Sequence, residues 1–146
     1  ITAPYRDDAD RLPPLAAMTR IRAGLRRTAP DTHEVHVCHC SMCRRWGEGP
    51  AFTLHGGTAV QTSGPVTRYA SSPWAERAFC SSCGTHLFYR LLASNEHFLS
   101  AGLFQDAQGL TLAQQIYIDE KPDYYALAND TPTLTGAEVQ ALYSDS

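Results

Sequence analysis

The distribution of cysteines is the feature that most constrains this chain. All five lie in two short clusters, which we call the first cluster (Cys38, Cys40 and Cys43) and the second cluster (Cys80 and Cys83). Disulfide frameworks usually carry an even number of cysteines spread along the chain, whereas Cys-x-x-Cys turns bring two sulfurs within reach of one metal ion. Zn²⁺ is borderline soft and takes thiolate ligands at roughly 2.3 Å in a tetrahedral shell. The clusters therefore predict zinc binding.

Spacing alone leaves two arrangements of the zinc ligands open. In one, Cys40, Cys43 and the second cluster form a single closed four-sulfur site, which would stabilise the fold and carry no chemistry. In the other, the first cluster binds one ion by itself and leaves the fourth position open, as catalytic zinc sites do. The closed site leaves Cys38 unused, although strand alternation points it to the same side as Cys40.

A cysteine nucleophile activated by histidine is a third interpretation. His39 lies between Cys38 and Cys40, but successive residues of a strand point to opposite faces. The strand pattern therefore argues against activation of either cysteine by His39.

The hydrophobic pattern predicts a mainly β domain. The 146 residues are 43% hydrophobic and 18% charged, which is a globular balance. From Thr32 onward, short alternating runs are separated by glycine, proline and serine, as strands and turns are. In "HEVHVCH", Val35 and Val37 share one face of the predicted strand. The only convincing helix is "TGAEVQALY" near the C-terminus, where Thr135 and Glu138 have capping-box spacing.

Charge and hydropathy disfavour several classes of partner. The net charge is −3, and the basic residues near the N-terminus are diluted by aspartates, which argues against nucleic-acid binding. No apolar run reaches the roughly 18–20 residues of a membrane span, and the N-terminus lacks the pattern of a signal peptide. We therefore expect a cytoplasmic protein that binds neither nucleic acid nor membranes. Residues 1–19 are predicted to be an N-terminal extension and residues 20–146 a zinc-binding domain.

Three motifs resemble the glutathione-dependent formaldehyde-activating enzyme family, which also includes centromere protein V. They are "VCHCSMCRRWGEGPAF", "YASSPWAERAFCSSCGTHLFYR" and "IDEKPDYY", and they occur in the family's order over about residues 32–126. The resemblance implies an Mss4-like fold of small packed antiparallel sheets with zinc knuckles, to which the sequence adds a short C-terminal helix.

The resemblance also implies two zinc sites. The first cluster would hold a catalytic-type zinc through Cys38, Cys40 and Cys43, which favours the open arrangement. Cys80 and Cys83 would contribute to a structural zinc, together with an early Cys-x-Cys-Gly motif.

This sequence departs from the family pattern at that early motif. Alignment on Gly24 places Ile21 and Ala23 at the two ligand positions, and neither side chain can bind zinc. Three explanations stay open. The second cluster is an empty remnant, or it recruits His33, His36 or Cys43 into one site, or residues 1–30 do not represent the working protein.

The activity implied by the resemblance is the joining of formaldehyde to glutathione, which is a carbon–sulfur lyase reaction run in reverse. A thiol with a pKa of about 8.5 is mostly protonated at pH 7, and coordination to zinc deprotonates it. Arg44 and Arg45 are expected to bind the carboxylates of a thiol such as glutathione, and Trp46 to line the pocket; a surface salt bridge and core packing are their alternatives.

We therefore predict a Zn²⁺-dependent, carbon–sulfur lyase-like enzyme that acts on a small thiol and an aldehyde. Its catalytic residues would be Cys38, Cys40 and Cys43. The alternative is a non-catalytic, zinc-stabilised binding module with a single structural four-cysteine site.

Overall fold

The computed structural model describes residues 33–62, 64–104 and 109–144. The predicted N-terminal extension, and Ile21 and Ala23 at the early motif, lie outside the described residues. Eight strands lie in the described ranges: β1 (Glu34–Cys38), β2 (Ala51–Gly57), β3 (Val66–Ser72), β4 (Ala75–Cys80), β5 (His86–Leu91), β6 (His97–Ser100), β7 (Thr111–Ile116) and β8 (Thr133–Leu134). The same ranges contain two α-helices, α1 (Ser41–Gly47) and α2 (Gly136–Ser144), and two 3-10 turns, Ala101–Leu103 and Ile118–Glu120.

The strands form one sheet with the order β3-β4-β5-β6-β2-β1-β7-β8. The predicted mainly β class and the C-terminal helix are confirmed, and the architecture agrees with a small β protein of the Mss4-like type. Strand β1 pairs antiparallel with β2 but parallel with β7, and β7 pairs parallel with β8. Alternation of apolar residues predicts a strand but not the direction of its partner, so the sequence did not reveal these parallel pairs.

Contacts along the chain divide it into two compact units. We call the described residues of 55–104 the meander unit, and residues 33–54 with 109–144 the cluster unit. In the meander unit, β3, β4, β5 and β6 pair antiparallel in sequence order. Its buried core consists of Ala78, Leu87, Phe88, Leu99 and Leu103. Leu87 and Phe88 are consecutive on β5 and Leu103 lies in the 3-10 turn after β6, so strict strand alternation does not supply the whole core.

Strand β1 lies at the centre of the cluster unit, between β2 and β7. Val35 and Val37 are buried, so the alternation in "HEVHVCH" is confirmed. At the other end of the unit, the N–H of Thr135 donates to Glu138 Oε1 at 2.9 Å and the N–H of Glu138 donates to Thr135 Oγ1 at 3.2 Å. The predicted capping box therefore forms and begins α2.

Helix α1 was missed from the sequence, where only the C-terminal helix was predicted. It spans seven residues and buries none of them, so it offers no apolar period to detect. Neither α1 nor α2 is long and apolar enough to cross a membrane, and the same holds for the helical turns of the described ranges.

Candidate metal centre

The first cluster brings three sulfur atoms together in the cluster unit. The Sγ atoms of Cys38, Cys40 and Cys43 all lie within 4.8 Å of one another, and each residue is half-buried. Zinc–sulfur bonds of about 2.3 Å in a tetrahedral shell separate the sulfurs by about 3.8 Å, so one ion suits these donors. No fourth His, Cys, Asp or Glu of residues 33–62, 64–104 and 109–144 joins the group. The arrangement is a three-sulfur donor set to which the described residues add no fourth protein ligand.

Two secondary-structure elements position these sulfurs. Cys38 is the last residue of β1 and is paired on both sides, with Ala51 of β2 and with Ile116 of β7. Cys40 is still extended and precedes α1, and its Sγ accepts the N–H of Cys43 at 3.3 Å. The sulfur thus takes the role of an N-cap side chain, which satisfies one of the N–H groups left unpaired at a helix start.

Glu120 completes the start of α1. The N–H of Ser41 donates to Glu120 Oε1 at 2.8 Å, so a carboxylate from the "IDEKPDYY" motif satisfies a second N–H of the first turn. A negative charge at this end also suits the helix dipole. Helix α1 therefore begins where it does because of a sulfur and a distant carboxylate, neither of which belongs to the usual sequence signals for a helix start.

His39 anchors the segment between the first two ligands. Its backbone N–H donates to the carbonyl of Ile116 at 3.1 Å, and its side chain is fully buried. Ring Nδ1 lies 2.8 Å from the hydroxyl of Tyr125, and Nε2 lies 2.8 Å from Oε1 of Gln115. An amide oxygen can only accept, so Nε2 carries the proton and Nδ1 accepts from Tyr125. Both ring nitrogens are used, which agrees with the expectation that His39 does not activate a neighbouring cysteine.

This anchor is the functional feature that sequence reasoning missed. Gln115 is buried on β7, and its Nε2 donates on to Thr131 Oγ1 at 3.0 Å. The available signal was weak: a histidine between two cysteines falls on the buried face of the strand, where a polar side chain needs partners. The partners are 76 and 86 residues away along the chain, so the sequence alone did not identify them.

The three sulfurs also perturb one another. Hydrogen bonds from Cys38 and then from Cys43 lower the pKa of Cys40 to about 2, although burial opposes the shift. Hydrogen bonds to Cys40 and Cys43, followed by burial, raise the pKa of Cys38. Three neighbouring thiols cannot all ionise beside one another without a compensating positive charge. A cation bound by all three would supply that charge, so the donor set fits a thiophilic metal ion.

The second cluster is a tight turn between β4 and β5 of the meander unit. Cys80 is buried, whereas Cys83 is exposed and its Sγ lies 2.8 Å from Thr85 Oγ1. The N–H of Gly84 donates to the carbonyl of Cys80 at 2.7 Å, and Gly84 has a φ of 81°, which favours glycine. Burial raises the pKa of Cys80, but hydrogen bonds with the backbone and side chains of Ser82 and Cys83 outweigh it, so that pKa is lowered overall.

No third ligand joins Cys80 and Cys83 within the part of the chain that the structure describes. Among the candidates considered for recruitment, Cys43 belongs to the three-sulfur group. His36 lies 3.9 Å from Glu34, and the carbonyl of His33 accepts from Thr111. The donor set with three members is therefore the first cluster, and the second cluster is a pair.

Comparison with known proteins places the chain in a family. A sequence model of the glutathione-dependent formaldehyde-activating enzyme family matches residues 20–120. This chain belongs to that family. An uncharacterised lyase of Schizosaccharomyces pombe is 41% identical to it over 109 residues, which cover 73% of this chain and 80% of that protein. The resemblance seen in the sequence is confirmed, and both findings support a lyase-like function.

In this member of the formaldehyde-activating enzyme family, the three residues predicted to bind substrate lie on α1, directly after the first cluster. Arg44 is half-buried and its Nε donates to the carbonyl of His39 at 3.0 Å. Arg45 is exposed and Trp46 is half-buried. Neither arginine forms an ion pair with a described residue, so the surface salt bridges considered from sequence are not formed there. Their binding of substrate stays a prediction.

Proposed function

We propose that this chain is a zinc-dependent, carbon–sulfur lyase-like enzyme. It would make or break the bond between the sulfur of a small thiol and the carbon of an aldehyde, as S-(hydroxymethyl)glutathione synthase does. The observation that carries the proposal is the three-sulfur group of Cys38, Cys40 and Cys43, whose described surroundings supply no fourth protein ligand. Membership of the formaldehyde-activating enzyme family supports it.

Cys38, Cys40 and Cys43 would hold the ion. When bound, zinc would supply a position that favours the thiolate form of an incoming thiol at neutral pH. The chain's own part is to keep three ligands in one geometry: Cys38 is fixed by strand pairing on both sides, and Cys40 and Cys43 are fixed by the first turn of α1. A ligand set held in this way needs little rearrangement when the substrate arrives.

The reaction is balanced without any further reactant. The S–H bond of the thiol and the π bond of the aldehyde carbonyl break, and a C–S bond and an O–H bond form. The proton lost by the thiol therefore ends on the new hydroxyl group, and the reverse reaction is a lyase step. Neither carbon nor sulfur exchanges electrons with an external acceptor, so no redox cofactor is required.

Arg44 and Arg45 are proposed to receive the carboxylates of the thiol substrate. Arg44 is oriented by its bond to the His39 carbonyl, which belongs to the same segment as the ligands. Arg45 is exposed on the same helix and is available to solvent-borne anions. Trp46 would line the binding site. We also propose a cytoplasmic location, because none of the five cysteines forms a disulfide in the structure and a reducing compartment keeps cysteines in the thiol form.

The first test counts zinc per chain in the wild type and in two cysteine variants. We expect Cys38→Ser to lose its zinc and Cys80→Ser to keep the ion of the first cluster. Loss of all zinc in Cys80→Ser together with retention in Cys38→Ser would mean a closed four-cysteine structural site and would overturn the proposal.

The second test measures catalysis directly. Exchange between glutathione, formaldehyde and their adduct is followed by two-dimensional NMR at equilibrium. We expect the zinc-loaded chain to accelerate exchange and Cys43→Ser to abolish the acceleration, while Cys83→Ser serves as the control that preserves it. Arg45→Gln is expected to raise KM for glutathione but not for mercaptoethanol, which has no carboxylate. Zinc binding with no acceleration would instead identify a binding module.

A further inference from the structure

Cys80 and Cys83 form a sulfur pair that the proposed reaction does not use. They are the first and fourth residues of a five-residue turn, which the bond from the Gly84 N–H to the Cys80 carbonyl closes. Disulfides join residues whose Cα atoms are roughly 4.4–6.8 Å apart, and a tight turn allows such a separation for residues three positions apart in sequence. Their side chains are already close enough for a hydrogen bond between the sulfurs.

The two sulfurs differ in their exposure to solvent. Cys80 is completely buried at the end of β4, whereas Cys83 is exposed at the turn and its sulfur is hydrogen-bonded to Thr85. A dissolved reactant can therefore reach Cys83 but not Cys80.

Among the described residues, none completes a metal site with this pair. Structural zinc takes four protein ligands, and no His, Cys, Asp or Glu of the described residues joins Cys80 and Cys83 as a third. The positions at which the family pattern would supply two more cysteines carry Ile21 and Ala23. A pair of adjacent thiols, one exposed and one protected, is instead the arrangement used for thiol–disulfide exchange.

We propose that Cys80 and Cys83 are a reversible dithiol–disulfide site that exchanges with low-molecular-weight disulfides. The thiolate of Cys83 attacks one sulfur of the small disulfide, so a mixed disulfide forms on Cys83 and the first small thiolate leaves. The thiolate of Cys80 then attacks the Cys83 sulfur, which breaks the mixed disulfide and releases the second small thiolate. Two electrons pass from the protein pair to the small disulfide, and the two protons end on the two released thiols.

This site is separate from the proposed lyase reaction. It uses neither the first cluster nor an aldehyde, and it changes the oxidation state of sulfur, which the lyase step does not. The two proposals can therefore fail independently. Zinc occupancy of the first cluster and disulfide formation in the second are measured on different peptides of the same chain.

The experiment follows the oxidation state of the second cluster in the full, zinc-loaded chain. Protein is equilibrated in buffers of increasing ratio of glutathione disulfide to glutathione, quenched with acid, alkylated, and digested with trypsin. Cleavage after Arg77 and Arg90 releases a peptide of residues 78–90, which contains Cys80 and Cys83 and no other cysteine. The cysteines of the first cluster leave on a different peptide, residues 28–44.

We expect the 78–90 peptide to change from a doubly alkylated form to an unalkylated form that has lost two hydrogen atoms. The change should follow the disulfide ratio and reverse when excess glutathione is added. A peptide that stays doubly alkylated at every ratio would overturn the proposal. A second zinc per chain that is lost in Cys83→Ser would also overturn it, because the pair would then be a metal site.

Two variants test the assigned order of attack. Cys83→Ser changes an exposed side chain, so the fold should be kept, and we expect complete loss of both internal disulfide and glutathione adduct from the peptide. In Cys80→Ala the mixed disulfide on Cys83 has no partner to resolve it, so we expect the adduct to accumulate. Ser81→Ala, in the same turn, is the matched control and should behave as the wild type, because the exposed Ser81 hydroxyl donates to the Pro65 carbonyl. An adduct on Cys80 in Cys83→Ser would contradict attack by Cys83.

Discussion

Replacement of Gln115 by methionine tests the anchor behind the first cluster. Methionine has nearly the same size and shape as glutamine, so packing on β7 should change little. The substitution removes the only acceptor described for Nε2 of His39, whose side chain is fully buried. At a surface position, water would replace the lost hydrogen-bond partner. At this buried position, no water reaches the N–H group that has lost its acceptor.

The expected magnitude follows from these contacts. A buried donor left without a partner lowers the free energy of unfolding by about 1–3 kcal/mol. The loss is smaller where water can take the place of the missing partner. The second bond of Gln115, to the half-buried Thr131, adds little because that hydroxyl can rotate toward solvent. We therefore expect Gln115→Met to lower the free energy of unfolding by about 2 kcal/mol and Tm by about 6 °C.

The assay is urea unfolding at equilibrium, with the same excess of zinc in every sample. Gln114→Met is the matched control, because it makes the same change one residue earlier, on the opposite face of β7; we expect less than about 0.5 kcal/mol there. In a His39→Leu background the cost of Gln115→Met should largely disappear, because both partners are then apolar. Equal effects at positions 114 and 115, or strictly additive effects with His39→Leu, would refute the anchor.

Two further predictions concern the meander unit. A Cβ on Gly56 would lie 2.3 Å from Leu99 Cδ1, so Gly56→Ala should cost about 1–3 kcal/mol in urea unfolding. Gly49→Ala, where nothing lies within 4 Å, is its control and should have no comparable effect. Hydrogen bonding to Arg90 is the main cause that lowers the pKa of Glu76 below its ordinary 4.5. Its stabilisation is therefore present above pH 4.5 and lost as the pH falls further, and Glu76→Gln should flatten the acid limb of a stability-against-pH curve.

The fold was predictable where it depends on local pattern. Alternation identified the buried valines of β1, and the spacing of Thr135 and Glu138 identified the start of α2. Both are signals carried within five residues of sequence. The parallel pairing of β1 with β7 depends instead on residues 77 or 78 positions apart, and no local pattern encodes the direction of that pairing.

The candidate site was predictable in its donors but not in its supports. The spacing of the cysteines predicted zinc ligands but left two arrangements open, and the resemblance to the family favoured Cys38, Cys40 and Cys43 as one set, whose sulfurs do lie together. The bonds from Tyr125 and Gln115 to His39, and from Glu120 to α1, join segments far apart in sequence. The type of a polar residue does not reveal which distant residue it hydrogen-bonds to, so these supporting bonds are seen only in the tertiary structure.

The two Cys-x-x-Cys motifs show that cysteine spacing predicts the kind of site less well than the conformation of the surrounding chain does. After Cys40 the backbone continues into helix α1, and a third sulfur from the preceding strand reaches the same place. After Cys83 comes Gly84 in a left-handed conformation, which closes a hairpin through the bond from Cys80 N–H to the Thr85 carbonyl. That hairpin turns the chain back along its own strand, and no described residue brings a further donor. The same two-residue spacing therefore belongs to a group of three sulfurs in one place and to a pair in the other, and we expect the chemistry of the two clusters to differ accordingly.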